Sequence, residues 1–490
     1  MSALIQYWFQ GEIRQTDQVK PVRTLLQHLR EDLHCTSAKE GCAEGDCGAC
    51  TVVTGELQDG RLVMKSVNAC LQFMPAIDGK AVFTAADLAD GAQLHPVQQA
   101  LVECHGSQCG FCTPGFVMSL WDLYLRREGD DTPLARKTID IALSGNLCRC
   151  TGYRPIIDAA RQMETLPRAA FNSRALAERL DLMQRQPSLS YTHQEQRVDA
   201  PRTLAELLQL RAAWPGATLL AGGTDVGLWV TKQFRDLPHL IYIGQASELR
   251  YTHEQANGLE IGAAVTLEDA YQTIVRHYPE LAELHQRFAS LPIRHAGTLG
   301  GNVANGSPIG DSMPWLMAAG SQVVLASLRG ERVLPLEAFY LAYQKKDLQP
   351  DEIVKAIRIP FKQAGSIFRS YKLSKRYDQD ISAVCAAFHA VLHDDGRISG
   401  VRIAYGGMAA TPKRAAQAEQ VLEGQLWDEA RAELAMQALA GDYAPLSDMR
   451  ASAAYRLQTA QQLLKRFWLE TRPQQPLSAA SVNVFAQEAP

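Results

Sequence analysis

The sequence has no long hydrophobic run and no excess of charge of one sign. No apolar stretch approaches the roughly 18–20 residues that a membrane-spanning helix needs. The 49 Lys and Arg residues and the 53 Asp and Glu residues give a net charge of −4, unlike the basic footprint of nucleic-acid-binding proteins. The first residues lack the basic and apolar regions of a signal peptide, so we expect a cytoplasmic protein that binds neither membrane nor nucleic acid.

Cysteine, by contrast, is abundant in the first third of the chain. Ten of the 11 cysteines lie between Cys35 and Cys150, and only Cys385 lies beyond them. Because stable disulfides are uncommon in the cytoplasm, clustered cysteines there indicate metal binding or redox chemistry.

The length of 490 residues favours three or four domains. Hydrophobic periodicity predicts a strand-rich module, a helical module, a polar linker, a mixed α and β region, and a final sheet with helices. The predicted bounds are 1–85, 86–165, 166–196, 197–365 and 366–473, followed by a tail at 474–490. The predicted fold class is therefore α+β, in several domains.

The first cysteine cluster has C-x4-C-x2-C spacing and a distant fourth cysteine. Its members are Cys42, Cys47, Cys50 and Cys70. This is the plant-type [2Fe–2S] spacing, in which one tightly wrapped loop supplies most of the thiolates. Gly41, Gly45 and Gly48 permit the backbone conformations that such a loop requires. A zinc site is the alternative, although zinc sites usually combine C-x2-C with a second C-x2-C or with His.

The second cysteine cluster combines C-x2-C with C-x-C. Its members are Cys109, Cys112, Cys148 and Cys150. Spacing alone leaves a [2Fe–2S] cluster and a tetrahedral zinc site open, and the neighbouring plant-type cluster favours the redox interpretation. Cys104 also stands at C-x4-C-x2-C spacing with Cys109 and Cys112, but we assign it no ligand role. Cys35 and Cys385 are expected to behave as small apolar residues.

The segments around these cysteines resemble the xanthine dehydrogenase family. EGCAEGDCGACTV at 40–52 is similar to its first-cluster motif, and GSQCGFCTPG at 106–115 and GNLCRCTGY at 145–153 are similar to its second. The resemblance implies a β-grasp ferredoxin-like domain followed by a four-helix [2Fe–2S] domain. It also implies that the second cluster lies nearest a molybdopterin cofactor on a partner polypeptide, with Gln108 and Cys150 at that interface.

Two glycine-rich segments without a GxGxxG pattern follow, at 219–227 and 298–308. Backbone amides in such turns can cradle a pyrophosphate, and Thr224 adds a hydroxyl donor. Each segment alone is more often structural. Together, after two iron–sulfur modules, they indicate a dinucleotide.

Both segments are similar to pyrophosphate loops of the family's FAD domain, a vanillyl-alcohol-oxidase-like fold, and the last region resembles a flavoprotein C-terminal α+β domain. The resemblance implies contacts with FAD from Leu219, Leu220, Ala221, Gly222, Gly223, Thr224, Asp225, Val226, Thr298, Asn302, Asp311, Leu348 and Lys372. Phe288 would pack near the isoalloxazine, with an ordinary core aromatic as the alternative. His295, Ala296 and Asn305 depart from the family pattern.

The segment 377–382 resembles the part of the family's dehydrogenase forms where NAD+ docks beside the flavin. Asp378 and Asp380 would then lie near the nicotinamide, and a solvated charged turn is the alternative. We assign no catalytic residue, and these two acids are expected only to lie near the NAD+ site.

The resemblance implies an electron-transfer subunit of a xanthine dehydrogenase that oxidises hypoxanthine and xanthine to urate. Electrons would pass from a molybdopterin-binding large subunit through two [2Fe–2S] clusters to FAD and on to NAD+, in a heterotetramer of two small and two large subunits. One alternative is the corresponding subunit of another molybdenum hydroxylase, acting on an aldehyde or N-heterocycle. A zinc-stabilised scaffold without redox activity is the other.

Overall fold

The computed structural model describes residues 3–478, 481 and 482. The chain divides into two compact units. The first unit holds the residues up to 250 together with 266–268 and 289–298, and the second holds 251–265, 269–288 and the residues from 299 onward. Part of the tail predicted at 474–490 lies outside the described residues.

The first unit begins with a five-stranded mixed sheet. In spatial order its strands are Glu12–Thr16, Ile5–Phe9, Ala81–Phe83, Thr51–Gln58 and Arg61–Asn68. The first and last strands of this region, Ile5–Phe9 and Ala81–Phe83, run parallel, and the other neighbours are antiparallel. A short α-helical turn, Leu25–Gln27, continues into a π-helical turn, His28–Asp32. The turn is capped by Thr24, whose hydroxyl accepts the Gln27 N–H.

Both faces of this sheet are covered by apolar side chains. Successive side chains on a strand point to opposite faces, so neighbouring residues enter different cores. Val52 and Val82 join one core with the second sheet of this unit, whereas Val53 and Phe83 join another with the helices. The sheet is therefore the central layer of the first unit.

Five helices cover the second of these faces. They are Pro96–Glu103, Thr113–Arg126, Arg136–Leu143, Arg154–Gln162 and Ser173–Gln184. The last of them lies within 166–196, where the polar composition predicted a linker. Asn172 caps this helix, because its side chain accepts the Ala175 N–H at 3.0 Å, and Leu176 and Leu180 enter the core.

The second sheet of the first unit has four strands. Their spatial order is Leu189–His193, Gln196–Ala200, His239–Tyr242 and Thr218–Leu220. The helices Leu204–Ala213, Val226–Thr231 and Leu291–Ala296 also belong to this unit. The edge strand Thr218–Leu220 leads directly into the first glycine-rich segment.

The second unit contains two larger sheets. One has the order Thr252–Gln255, Gly258–Gly262, Ile353–Pro360, Gln322–Ser327 and Gly330–Pro335. The other has the order Ser366–Leu373, Val384–Leu392, Ile398–Gly406 and Lys413–Arg414, and a small hairpin pairs Tyr340–Ala342 with Lys345–Lys346.

Short helices connect these strands, and three further helices near the end of the chain complete the described part of the unit. The short ones are Ala282–Arg287, Leu299–Asn305, Ser312–Ala318 and Leu336–Phe339, and helix Leu267–His277 contributes its residues 269–277. The Ala-rich stretch after strand Lys413–Arg414 forms helices Ala416–Leu422 and Glu429–Asp442 with a break between them, and Ala453–Thr471 follows. Within the described residues, no helix is both long enough and apolar enough to cross a membrane.

Candidate redox-cofactor sites

The first thiol group consists of Cys42, Cys47, Cys50 and Cys70. Three of its members lie on the loop before strand Thr51–Gln58, and the fourth follows strand Arg61–Asn68. These two strands are antiparallel, and Thr51 pairs with Asn68. The register therefore brings Cys50 and Cys70 to the same end of the hairpin.

The four sulfur atoms of this group are arranged as two pairs. Cys42 and Cys47 are neighbouring thiols, and so are Cys50 and Cys70. The Cys47 thiol is the main cause that lowers the pKa of Cys42 to about 5, and the Cys42 thiol in turn raises the pKa of Cys47. In the other pair, the thiol of Cys70 lowers the pKa of Cys50, and the thiol of Cys50 raises the pKa of Cys70.

The loop backbone also turns its amides toward sulfur. The N–H groups of Asp46 and Cys47 donate to the Cys42 sulfur at 3.4 and 3.3 Å. Amides directed in this way stabilise thiolate charge and tune a bound cluster. A Cβ at Gly41 would lie 2.8 Å from the Cys47 sulfur, so a larger residue would displace that thiol.

The second thiol group consists of Cys109, Cys112, Cys148 and Cys150. Cys112 precedes helix Thr113–Arg126, and the two later cysteines lie between Arg136–Leu143 and Arg154–Gln162. Their sulfur atoms again form two pairs, Cys112 with Cys148 and Cys109 with Cys150.

Burial differs within this second group. Cys109 and Cys150 are exposed, whereas Cys112 and Cys148 are half-buried. Burial raises the pKa of Cys112 to about 12. Burial would also raise the pKa of Cys148, but the Thr151 hydroxyl, which donates to its sulfur at 3.3 Å, contributes to a net lowering.

The pairing of the sulfur atoms bears on the choice between a zinc site and a [2Fe–2S] cluster. A single tetrahedral zinc needs four thiolates that converge on one point, whereas a [2Fe–2S] rhomb needs two thiolates on each of two irons. Two pairs in each group match the donor set of a two-iron cluster.

The three remaining cysteines lie outside these pairs. Cys104 ends helix Pro96–Glu103 and packs against the helical core, where burial raises its pKa. Cys35 contacts the hydroxyls of Ser37 and Thr84, and Cys385 is buried beside the backbone oxygen of Asp311.

The two thiol groups are connected by direct hydrogen bonds. The Leu147 N–H donates to the Cys47 oxygen at 3.0 Å, and the Asn146 amide donates to the Gly48 oxygen at 3.1 Å. A Cβ at Gly48, where φ is +68°, would collide with the Gly145 oxygen. Glycine at this position therefore permits the close approach of the two loops.

The first glycine-rich segment forms a tight turn against a second loop of the first unit. Gly223 has a φ of +74°, which favours glycine. A Cβ at Gly222 would collide with the Ala296 oxygen, and one at Gly297 would lie 3.2 Å from the Thr224 hydroxyl. The structure thus brings Gly222–Thr224 together with 296–298, and Thr298 forms a bridge with Thr266. Leu219 and Leu220 belong to the preceding strand and Asp225 precedes the helix that starts at Val226.

The second glycine-rich segment lies in the second unit and begins with helix Leu299–Asn305. A Cβ at Gly300 would collide with Ala263, so this helix packs closely on the neighbouring turn. The side-chain oxygen of Asn302 is buried and has no hydrogen-bond partner within the protein. Because a buried acceptor without a partner is costly, this atom marks a place where an external donor would fit.

Three other residues expected at the flavin lie in the second unit. Two of them, Lys372 and Asp311, form a buried polar cluster, and the third, Phe288, makes an aromatic contact. Lys372 donates to an Asp311 carboxylate oxygen at 2.5 Å, and the Ser382 hydroxyl donates to the other oxygen at 2.5 Å. Phe288 is buried, and its ring lies 5.6 Å from that of Tyr271. Leu348 is half-buried and follows the small hairpin.

Asp378 and Asp380 lie on a turn of the second unit. The Asp380 carboxylate accepts the N–H groups of Arg376 and Ile381 at 3.0 and 3.1 Å. Burial would raise the pKa of Asp380, but the Arg376 N–H and guanidinium lower it overall. Gln379 between the two acids has a φ of +56°, so the turn is tight.

Sequence patterns gave no sign of several contacts around these sites. Leu71 and Gln72 directly follow a cysteine of the first thiol group and contact the glycine-rich turn, yet neither belongs to a recognisable motif. His295, which departs from the family pattern, is buried and hydrogen-bonded to the Ser66 backbone oxygen at 3.0 Å. Burial lowers its pKa.

Three families of protein domains match the chain. A [2Fe-2S] binding domain matches residues 84–161, the FAD binding domain in molybdopterin dehydrogenase matches 194–362, and the CO dehydrogenase flavoprotein C-terminal domain matches 369–471. These matches confirm the predicted α+β multidomain class.

Curated relatives extend the likeness over most of the chain. A xanthine dehydrogenase of Emericella nidulans is 32% identical over 500 residues, which cover 90% of this chain and 36% of that protein. A xanthine dehydrogenase/oxidase of Gallus gallus is 30% identical, with 86% of this chain and 36% of that protein covered. The chain thus spans about a third of the length of these relatives.

Solved structures resemble the chain as well. A carbon monoxide dehydrogenase of Hydrogenophaga pseudoflava has a TM-score of 0.52 and 30% identity, over 55% of this chain and 94% of that one. A quinoline 2-oxidoreductase of Pseudomonas putida 86 has a TM-score of 0.50 and 28% identity, with the same shares covered. The paired thiols, the matching domains and these relatives lead to one conclusion: the chain belongs to the molybdenum hydroxylase family, with the family's iron–sulfur and flavoprotein domains joined in one polypeptide.

Proposed function

We propose that this chain is the electron-transfer part of a xanthine dehydrogenase. In this proposal a molybdopterin-binding partner oxidises hypoxanthine and xanthine to urate. Electrons then pass through two [2Fe–2S] clusters and FAD of this chain to NAD+. When bound, the clusters supply one-electron transfer and FAD supplies hydride transfer to the nicotinamide.

The single observation that carries the proposal is the division of each thiol group into two sulfur pairs. Each pair suits one iron of a two-iron cluster, and the eight thiols therefore suit two clusters. The hydrogen bonds from Leu147 and Asn146 to the Cys47–Gly48 backbone hold the two groups next to each other. Such proximity is what a relay between the groups requires.

The role of this chain's own residues in the relay is to hold charge and exclude water. The amides of Asp46 and Cys47 donate to sulfur, and Cys50 and Cys70 are each 2% exposed. Fixed amide dipoles and burial are the protein's means of setting the potential of a cluster.

Each unit, taken by itself, has features that would suit FAD. Gly222 and Gly223 leave no side chain on a tight turn, and Thr224 adds a hydroxyl beside it. In the second unit, Asn302 offers a buried acceptor atom without a protein partner. We propose these residues, with the others named above for FAD, as contacts of the cofactor.

The share of this chain that the curated relatives match favours a xanthine dehydrogenase over another molybdenum hydroxylase. The two xanthine dehydrogenases described above match 90% and 86% of this chain, which takes in both iron–sulfur and flavin regions. The solved structures cover 55% of the chain. NAD+ as the acceptor, docked near Asp378 and Asp380, is part of the proposal.

The second candidate is another molybdenum hydroxylase, acting on an aldehyde or N-heterocycle. The likeness to a quinoline 2-oxidoreductase at 28% identity favours it. In either case we propose a molybdopterin-binding partner, a heterotetramer of two chains of each kind, and a cytoplasmic location, where thiols stay reduced for cluster assembly.

The test starts with the purified protein and the large subunit that accompanies it. We expect two irons and two acid-labile sulfides for each thiol group, bound FAD, and reduction of NAD+ by xanthine. Activity with quinoline or an aldehyde and none with xanthine would select the second candidate. Zinc in place of iron and sulfide would refute the redox proposal.

A variant pair tests the flavin part separately. Asn302→Ala should weaken FAD binding about fivefold, because one buried hydrogen bond is lost. Asn257→Ala, in an exposed turn of the same unit, is the matched control and should leave FAD binding unchanged. Equal FAD affinity in both variants would contradict the assignment of Asn302.

A further inference from the structure

Leu71 directly follows Cys70 of the first thiol group and is almost completely buried. Its side chain is 1% exposed and belongs to the core between the two sheets of the first unit. The position is fixed by the hairpin on one side and by the helical turn at Met74–Ile77 on the other. A residue held so firmly can transmit the position of one loop to another.

The Leu71 side chain lies between two glycines that belong to different loops. A Cβ at Gly45, on the cysteine loop, would lie 2.5 Å from one of its methyl groups. A Cβ at Gly227, just after the glycine-rich turn, would lie 3.0 Å from its other methyl group. Leu71 therefore fills the space between the cysteine loop and the glycine-rich segment.

The backbone of Leu71 meets the glycine-rich turn itself. A Cβ at Gly223 would lie 2.6 Å from the Leu71 carbonyl oxygen. Since Gly223 also has a φ of +74°, two independent constraints require glycine at this position.

Gln72 adds a directed bond to the same turn. Its side-chain amide donates to the Gly222 carbonyl oxygen at 3.2 Å, and the side chain is buried. On its other side Gly222 is packed against the Ala296 oxygen. The peptide after Gly222 is thus oriented by Gln72, and its N–H direction follows from that orientation because the peptide group is planar.

We propose that Leu71 and Gln72 are positioning residues for the FAD pyrophosphate. They orient the Gly222–Gly223 peptide and couple it mechanically to the loop that carries the first thiol group. This inference rests on the proposed FAD site and adds two residues to it that touch the turn and not the cofactor.

The principal test measures how tightly FAD and ADP bind to the full-length protein after FAD has been removed and both clusters have been retained. ADP is included because it carries the same pyrophosphate. Gln72→Leu removes the donor but keeps the approximate size of the side chain. We expect both dissociation constants to rise about fivefold, the effect of one lost buried hydrogen bond.

Gln184→Leu is the matched control. The Gln184 amide donates to the Leu57 backbone oxygen at 2.9 Å, so the substitution removes a similar side-chain-to-backbone bond elsewhere in the first unit. FAD and ADP affinity should not change in this variant. An equal loss of affinity in Gln184→Leu would show a general loosening of the unit and would overturn the inference.

Leu71→Ala provides a second, spectroscopic readout. Because the side chain fills the space beside Gly45, its truncation should shift the EPR line shape of the first cluster and leave that of the second unchanged. FAD affinity should also fall. Unchanged FAD affinity in both Leu71→Ala and Gln72→Leu would refute the inference while leaving the proposed FAD site intact. Failure of the unsubstituted protein to bind FAD would refute the proposed site, and this inference with it.

Discussion

The two thiol groups have the same donor set but opposite surroundings. Cys50 and Cys70 of the first group are each 2% exposed, whereas Cys109 and Cys150 of the second group are exposed. This chain therefore encloses one sulfur pair of the first group, while Cys42 and Cys47 are half-buried. The second group leaves one sulfur pair open to whatever approaches it.

Apolar side chains next to the second group strengthen this difference. Phe111, Leu147 and Tyr153 are 48%, 38% and 37% exposed and lie within the cysteine segments. Exposed apolar groups of this kind are typical of surfaces that a partner covers. They support the proposed position of the second group beside the molybdopterin-binding subunit.

The largest expected effect comes from removing one thiolate of either group. Cys47→Ser should abolish the plant-type EPR signal and half of the bound iron, because the first cluster loses a ligand, and FAD should stay bound. Cys112→Ser should abolish only the other signal. EPR spectra, iron analysis and flavin content measure these outcomes. Loss of flavin with the first signal intact would contradict the separation of the sites.

The next effect concerns a half-buried carboxylate on the strand that follows Cys50. Glu56 lies 3.2 Å from Arg250 and 3.4 Å from Lys80. Burial would raise its pKa, but Arg250, then Lys80 and Lys65, lower it well below the ordinary value of 4.5. The stabilisation is thus complete above pH 4.5 and is lost as the pH falls below it.

Glu56→Gln should therefore lower the free energy of unfolding by about 3 kcal/mol at pH 7 and flatten its decline in acid. Chemical denaturation, monitored by the loss of absorbance of the first cluster, measures this free energy of unfolding. Asp158→Asn is the control beside the second group, where the exposed Arg154 pair contributes about 0.5 kcal/mol or less. Equal effects of the two substitutions would remove this contrast between the groups.

A smaller effect is expected from alkylation of the iron-free protein. Maleimide should modify Cys109 and Cys150 at least about tenfold faster than Cys50 and Cys70, because the latter react only after local opening. Peptide mass spectrometry gives the rates at each cysteine. Similar rates at all four would show that the Cys50–Cys70 pair is not enclosed in solution.

The smallest expected effect is that of Cys104→Ser. Cys104 packs at the end of a helix and lies outside the sulfur pairs, so iron content and both EPR signals should be unchanged. Loss of half of the iron would show that it replaces one of the assigned ligands.

The sequence was informative where chemistry is local along the chain. Ligand spacing and flanking glycines predicted both thiol groups, since a cluster loop is a continuous segment that carries most of its ligands. The pairing of Cys50 with Cys70 was not predictable, because it depends on the register of strands 51–58 and 61–68.

One feature that sequence patterns did not reveal is a contact between distant segments. Gln72 and Gly222 are 150 residues apart, and a lone glutamine after a cysteine carries no pattern that predicts such a bond.

The helix within 166–196 was missed for a different reason. The polar composition of this segment outweighed the capping signal of Asn172 and the apolar spacing of Leu176, Leu180 and Met183. Composition describes the exposed face of a helix as well as it describes a linker.

The two-sided burial of the first sheet limits how this protein can be dissected. A fragment ending at residue 165 would retain Ile5, Tyr7 and Phe9 but lose the strands that cover them. The uncovered surface would be apolar and would invite aggregation. Expression of the iron–sulfur portion alone therefore calls for polar replacements on that face, or for retention of the rest of the first unit, which includes 266–268 and 289–298.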